Sequence, residues 1–161
     1  MKLLDWHGHA WIALVARLYL GGVFIFACLH KIAQPASFAL DVATYQFLPL
    51  WAINVFALVL PWTELLAGVM LVVGLRVRAA ALLVALMMVA FLVALGWALH
   101  LDLHMSCGCF ASQGAVESDP ISWHTLVRDG FWLLLALYVM VLDRDPVGID
   151  RLIRRWSERH A

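Results

Sequence analysis

The side chains best suited to chemistry lie together in one polar segment. It reads His100-Leu-Asp102-Leu-His104-Met-Ser-Cys107-Gly-Cys109-Phe110. Two cysteines separated by a single glycine can close a small, strained disulfide, and strained, exposed disulfides are the labile and catalytic ones. A structural disulfide usually closes a longer loop, because joining near neighbours removes little chain entropy. We therefore predict that Cys107 and Cys109 are redox-active, with a static loop disulfide as the alternative.

The same segment supports a second hypothesis, which is metal binding. His100 and His104 are four residues apart, so they share a face if the preceding helix continues outward. Together with Cys107 and Cys109 they could hold Zn²⁺ or Cu⁺ through two imidazoles and two thiolates. Their spacing is not that of a common zinc module. Metal handling is therefore kept as an alternative to redox chemistry.

A third cysteine, Cys28, lies near the end of an apolar run, next to His30 and Lys31. If it lies at the depth of the polar segment, it could act as the third thiol of a relay. A lone cysteine in an apolar helix is more often a small hydrophobic side chain that only packs. Packing is the favoured interpretation, and the relay is the alternative.

Two charged residues, Arg17 and Glu64, interrupt long apolar runs. Ionisable residues at such depth are costly and usually face the interior of a helix bundle, where they meet a partner. We expect these two to pair with each other, either to hold the first two spans together or to organise a quinone or proton site. Arg128 and Asp129 lie closer to the start of their span and are expected to snorkel or to pair with each other.

All of these residues must be positioned by membrane helices. Of the 161 residues, 65% are hydrophobic and only 14% are charged, whereas an average soluble domain carries roughly 25% charged residues. So few charges cannot coat a soluble sphere of this size, which excludes a soluble enzyme. The formal net charge is zero, so no overall field attracts nucleic acid.

Four apolar stretches are long enough to span a bilayer, which takes about 20 residues each. They cover residues 10–29, 50–75, 79–99 and 121–142. The predicted fold is an all-α, antiparallel four-helix membrane bundle formed by residues 1–142. Residues 143–161 are predicted to form a basic cytoplasmic tail, in which one helix face carries Ile149, Leu152, Ile153 and Trp156.

The basic residues orient this bundle, because Lys and Arg concentrate in cytoplasmic loops. With the N-terminus inside, the inner segments hold Lys2, Arg76, Arg78, Arg144, Arg151, Arg154, Arg155 and Arg159. The outer loops then hold only Lys31. Both termini are therefore expected in the cytoplasm, and residues 30–49 and 100–120 in the periplasm of a bacterium. That compartment is oxidising and favours pairing of Cys107 with Cys109.

Several motifs resemble one family of membrane proteins. The first span resembles the start of DoxX-type proteins, from Arg17-Leu-Tyr-Leu-Gly21-Gly22-Val-Phe24 through His30-Lys31. A closer resemblance, to the MauE branch, is carried by Tyr45-Gln-Phe-Leu-Pro49, Leu60-Pro61-Trp62-Thr63-Glu64-Leu65-Leu66-Ala67-Gly68 and Cys107-Gly108-Cys109-Phe110. The order and spacing of these motifs agree with the family over roughly residues 10–140.

The resemblance implies a four-helix protein of the bacterial inner membrane with a role in methylamine utilisation. It implies support for maturation of the periplasmic methylamine dehydrogenase small subunit, which is rich in disulfides, alongside a thioredoxin-like partner of the MauD type. The expected function is thiol–disulfide exchange with such a partner, as a component of an oxidoreductase system. The alternatives are a non-enzymatic assembly factor, a quinone-linked DoxX-like subunit and a metal-handling membrane protein.

Overall fold

The computed structural model describes residues 8–46, 48–101, 123–143, 148–150, 156 and 158, with side chains from residue 11 onward. Within these ranges the chain is helical and contains no strand. The helices are α1 (Gly8–Ala33), α2 (Pro35–Thr44), α3 (Leu50–Val73), α4 (Val77–His100) and α5 (Trp123–Leu142). The four long helices confirm the predicted spans, and each is long and apolar enough to cross a bilayer.

The long helices run antiparallel to their neighbours. The direction of α3 against α1 follows from two contacts, because Gly21 lies against Gly68 while Lys31 bonds Glu64. A short turn then reverses the chain into α4. One end of the bundle, the α2 end, therefore holds the end of α1, the start of α3, the end of α4 and the start of α5. The opposite end, the turn end, holds the α3–α4 turn and the end of α5.

The outward faces of the long helices are apolar. Large hydrophobic side chains are exposed along all four, among them Trp11, Leu50, Leu86 and Leu134. Such a coat would be unfavourable in water, whereas lipid hydrocarbon solvates it without cost. The arrangement is that of a helix bundle in contact with the bilayer.

Helix α2 was not anticipated from the sequence, which placed residues 30–49 in an outer loop. Pro35 begins the helix, at a position where a missing backbone N–H is tolerated. Its buried side chains Phe38 and Val42 pack against Ile53 and Ala57 of α3. This small cluster holds α2 against the first turns of α3 and closes the α2 end of the bundle on one side.

Helices α1 and α3 approach each other through glycine. A Cβ atom placed on Gly21 would lie 2.8 Å from the carbonyl oxygen of Gly68. A Cβ atom on Gly68 would in turn lie 3.0 Å from the carbonyl oxygen of Gly21. Membrane helices associate largely through such close backbone contacts, because lipid provides no hydrophobic force between them. The α1–α3 contact therefore depends on the absence of side chains at these two positions.

The α3–α4 turn also receives the chain after α5. Gly74 ends α3 in the left-handed conformation, with φ of 73°. The backbone N–H of Asp150 donates to the carbonyl oxygen of Gly74 at 3.1 Å. Gly148 lies so close that a Cβ atom there would be 2.6 Å from the carbonyl oxygen of Val73. The division into a membrane domain and a basic tail stays a prediction, because Leu152 and Ile153 lie outside the described residues.

We expect Gly21→Ala to lower the free energy of unfolding by about 1–3 kcal/mol, because the new methyl group meets backbone that cannot move aside. Gly22→Ala is the matched control, since a Cβ atom at Gly22 meets no atom within 4 Å. The control should be neutral or stabilising by up to about 1 kcal/mol, as alanine favours helix more than glycine does. Unfolding of the purified protein in mixed micelles, followed by circular dichroism, measures both. Equal effects of the two changes would contradict the close approach.

Candidate functional site

A buried ion pair joins α1 to α3 near the α2 end. Nζ of Lys31 lies 2.9 Å from Oε1 and 3.0 Å from Oε2 of Glu64, so it donates to both carboxylate oxygens. The same ammonium group lies 5.1 Å from the centre of the Phe38 ring of α2. Lys31 is 6% exposed and Glu64 8%. The pair thus connects three helices at a position shielded from the surroundings.

A second buried ion pair joins α1 to the end of α5. Nη1 of Arg17 lies 3.4 Å from Oδ2 of Asp143, the residue that follows α5. Arg17 is 1% exposed and Asp143 7%. In the middle of α5, Nε1 of Trp132 donates to the hydroxyl of Tyr19 on α1 at 3.4 Å. The two contacts join α1 to α5 at the turn end and in the middle of the bundle.

The expected pairing of Arg17 with Glu64 is therefore wrong. Glu64 lies four residues beyond Gly68 toward the α2 end, and Arg17 lies four residues beyond Gly21 toward the turn end. Because the two glycines are in contact, the two charges are offset by about 12 Å along the bundle, at 1.5 Å of rise per residue. Glu64 bonds Lys31 instead, which lies nearer to it along the bundle, at an offset of about 9 Å by the same rise.

Lys31 and Asp143 are the partners that sequence reasoning missed. Lys31 was assigned to an outer loop, although the apolar residues Ile32 and Ala33 follow it and α1 continues through them. That continuation was the available signal. Asp143 carries no comparable signal, because it follows the last apolar residue of its span and looks like an ordinary loop residue.

Of the two alternatives for Arg128 and Asp129, snorkelling or mutual pairing, the structure shows the pair. Nε of Arg128 lies 3.1 Å from Oδ1 of Asp129, whose side chain is fully buried. The guanidinium of Arg128 also lies 5.0 Å from the ring centre of Trp132. Arg128 thus reaches from the less buried face of α5 to a carboxylate inside the bundle.

A cavity of about 390 Å³ lies between the helices near the Lys31–Glu64 pair and is lined by residues of all five. Its size falls within the range of small-molecule sites, which run from roughly 300 to 1,000 Å³. The lining is mostly apolar, and its charged members are Lys31, Asp41, Glu64 and Asp129. Arg17 does not line this cavity. Arg17 and Glu64 were expected to share one polar site, but only Glu64 lies at the cavity.

Cys28 is completely buried in α1, one turn before Lys31. Its thiol donates to the carbonyl oxygen of Ile25, with Sγ 3.1 Å from that oxygen. This environment is that of a packed side chain, and participation of Cys28 in a relay stays a prediction.

Of the four residues predicted for redox chemistry or metal binding in the polar segment, the structure describes one. Cys107, Cys109 and His104 lie outside the described residues. His100 is described, is exposed and is the last residue of α4. Within the described ranges no three His, Cys, Asp or Glu side chains form a group that could hold a metal ion. The metal hypothesis for His100, His104, Cys107 and Cys109 therefore stays a prediction.

Four apolar helices of spanning length, joined by buried ion pairs, define a multi-pass helical membrane protein. The family model described as methylamine utilisation protein MauE matches residues 9–142, a range that contains the four spanning segments. The chain belongs to the MauE family.

Two curated relatives carry the same name. The methylamine utilization protein MauE of Paracoccus denitrificans is 32% identical over 124 residues, which are 76% of this chain and 65% of that protein. The methylamine utilization protein MauE of Methylophilus methylotrophus is 35% identical over 141 residues, which are 86% of this chain and 73% of that protein. This chain thus spans less than two thirds of the first relative's length. No solved structure matches the chain.

Lys31→Met and Glu64→Gln should each lower the free energy of unfolding by roughly 3–5 kcal/mol, because each leaves a buried charge without its partner. The double variant should be more stable than the sum of the single losses predicts, with a coupling of about 1–3 kcal/mol. Arg17→Met combined with Glu64→Gln is the control cycle, and its losses should add within about 0.5 kcal/mol. Denaturant titration in mixed micelles measures both cycles. A strong coupling of Arg17 with Glu64, and none of Lys31 with Glu64, would contradict the observed pairing.

Proposed function

We propose that this protein is an accessory membrane protein of methylamine utilisation, which exchanges thiols and disulfides with a periplasmic partner. The partner is a thioredoxin-like protein of the MauD type, and the product that benefits is the methylamine dehydrogenase small subunit. Cys107 and Cys109 carry the exchange. The observation that carries the proposal is membership of the MauE family, in a chain that has a Cys-Gly-Cys segment between two membrane helices.

The methylamine assignment is supported by the names of the two relatives, both of which are methylamine utilization proteins. The redox assignment is supported by the chemistry of the segment, since two thiols one residue apart can attack and resolve in turn. Membership alone does not distinguish this role from a stabilising role in partner assembly, so the cysteines themselves must be tested.

The Cys-Gly-Cys segment is attached at both ends to helices that pack against each other. Residues 102–122 connect the end of α4 with the start of α5, and both ends lie at the α2 end of the bundle. Helices α4 and α5 share the main hydrophobic cluster of the protein, in which Val84, Met88, Ala136 and Val139 are buried. A redox pair attached to two packed helices can meet a soluble partner without unfolding the membrane domain.

We place the α2 end of the bundle on the periplasmic side of the bacterial inner membrane. Arg76 and Arg78 lie at the turn end, where a cytoplasmic position is favoured for basic residues. Lys31, which was counted as an outer-loop charge, is buried in α1 and bonded to Glu64. Without Lys31, the predicted outer loops contain no Lys or Arg, which favours this orientation more strongly.

In the proposed exchange, the thiolate of Cys107 attacks a disulfide of the partner. One sulfur of the partner leaves as a thiolate, and a mixed disulfide links the two proteins. The thiolate of Cys109 then attacks the sulfur of Cys107, which releases the second partner sulfur and leaves Cys107 and Cys109 joined. The partner gains two electrons and the cysteine pair loses two. Cys107 is assigned the attack because it is nearer in the sequence to His100 and His104, whose positive form favours a thiolate.

Cys109→Ser should trap the partner as a mixed disulfide, because the intermediate has lost its resolving thiol. The product is a larger, reductant-sensitive band on a gel of cells that also produce a MauD-type protein. Cys107→Ser should trap less, and Cys28→Ser should trap none, since Cys28 is buried. If the Cys107→Ser, Cys109→Ser double variant still matures the small subunit normally, the redox proposal is contradicted and the role of a non-enzymatic assembly factor is favoured.

A further inference from the structure

The cavity near the α2 end has four properties that together indicate the chemistry of the ligand it would bind. It has a polar end, its walls are rich in aromatic rings, its edge reaches the lipid-facing surface, and its charges leave no net positive site. The proposed exchange at Cys107 and Cys109 uses none of its lining residues. A cavity of this kind therefore needs an explanation of its own.

The polar end is formed by the Lys31–Glu64 pair. An ammonium group carries three N–H donors, and two of them point to the carboxylate oxygens of Glu64, at 2.9 and 3.0 Å. The third can serve a carbonyl oxygen of a ligand. Glu64 compensates the charge of Lys31, and Asp41 and Asp129 are also in the lining. A neutral head group with an acceptor oxygen fits this end, whereas a carboxylate would be repelled.

The walls favour a flat ring. Phe24, Phe38, Phe91 and Trp132 line the cavity from four different helices. Aromatic side chains interact well with planar groups through stacked and edge-to-face contacts. A branched or saturated head group would use these walls less well than a planar ring does.

The edge of the cavity reaches the bilayer between α3 and α4. Phe56 of α3 and Leu86 of α4 both line the cavity. Both are also exposed on the lipid-facing surface, with exposed fractions of 40% and 58%. A ligand can therefore enter sideways from the membrane, and a long apolar tail can remain among the lipids while the head group lies inside.

We propose that this cavity binds a quinone, a neutral and planar ring with carbonyl acceptors and a lipid-soluble tail. One carbonyl oxygen accepts a hydrogen bond from Nζ of Lys31, and the ring lies between the aromatic walls. The tail leaves between Phe56 and Leu86. The bound ring lies at the end of the bundle from which the Cys107–Cys109 segment leaves, although binding does not require those cysteines.

Decylubiquinone should bind the purified protein in detergent micelles at a single saturable site, measured by quenching of tryptophan fluorescence. Ala94→Leu fills part of the cavity lining and should weaken binding at least about tenfold, a change of about 1.4 kcal/mol. Ala79→Leu is the matched control on the same helix, since Ala79 is exposed and does not line the cavity. It should leave binding within about twofold of the parent protein.

The polar end is tested by removing both charges together, so that no unpaired charge remains. The Lys31→Met, Glu64→Met double variant should weaken binding about tenfold, because neither methionine can donate to the carbonyl. The Arg17→Met, Asp143→Asn double variant removes the other buried pair, which does not line the cavity, and should bind normally. Circular dichroism verifies that each variant is folded.

Three results would overturn the proposal. One is equal binding by the Ala94→Leu and Ala79→Leu variants. Another is unchanged binding when Lys31 and Glu64 are replaced together. The third is displacement of decylubiquinone by the uncharged chain 1-dodecanol at equal concentration, which would identify the cavity as a site for lipid chains. Failure of 1-dodecanol to displace it supports the planar ring.

Discussion

Helix α1 carries two cations inside the apolar bundle, and the rest of the structure is arranged around their partners. A buried charge without a partner costs several kcal/mol, so each cation must find a carboxylate. Lys31 meets Glu64 of α3, and Arg17 meets Asp143 beyond α5. Because one carboxylate lies on α3 and the other directly follows α5, the two pairs fix the depth of α1 against both neighbours.

The glycine contact between α1 and α3 sets which charges can meet. With Gly21 against Gly68, Glu64 lies nearer to Lys31 than to Arg17 along the bundle, at offsets of about 9 Å and about 12 Å. A shift of α1 by one turn would break the contact of Gly21 with Gly68 and would displace Arg17 from Asp143 by about 5 Å. Close packing and ion pairing therefore favour the same alignment, as expected for a sequence whose local and global preferences agree.

Much of the fold could be predicted from the sequence, because hydrocarbon thickness sets the length of a spanning helix. The four spans followed from apolar run lengths, and their antiparallel order followed because consecutive spans cross the bilayer in opposite directions. Helix α2 could not be predicted in this way. Its ten residues are too short to span, and its packing depends on Ile53 and Ala57, which are brought to it only in the folded protein.

The pairing of charges was harder to predict than the helices. Sequence position gives the depth of a residue within a span, but not the vertical offset between two helices. That offset depends here on one glycine contact. The apolar runs around Arg17 and Glu64 indicate buried charges, whereas Lys31 and Asp143 stand at the ends of apolar runs, where charged residues usually face water. The Cys107–Cys109 segment remains known through its sequence and its family.

The proposed function requires that Cys107 and Cys109 be accessible from the periplasm and exchange disulfides with the partner. Labelling of intact spheroplasts with a membrane-impermeant thiol reagent tests this directly, with labelled residues identified by mass spectrometry. After reduction and washing, Cys107 and Cys109 should be labelled and buried Cys28 should not. Prior incubation with an oxidised MauD-type thioredoxin-like protein should abolish that labelling. Labelling that needs a broken membrane, or that the oxidised partner leaves unchanged, would contradict the account.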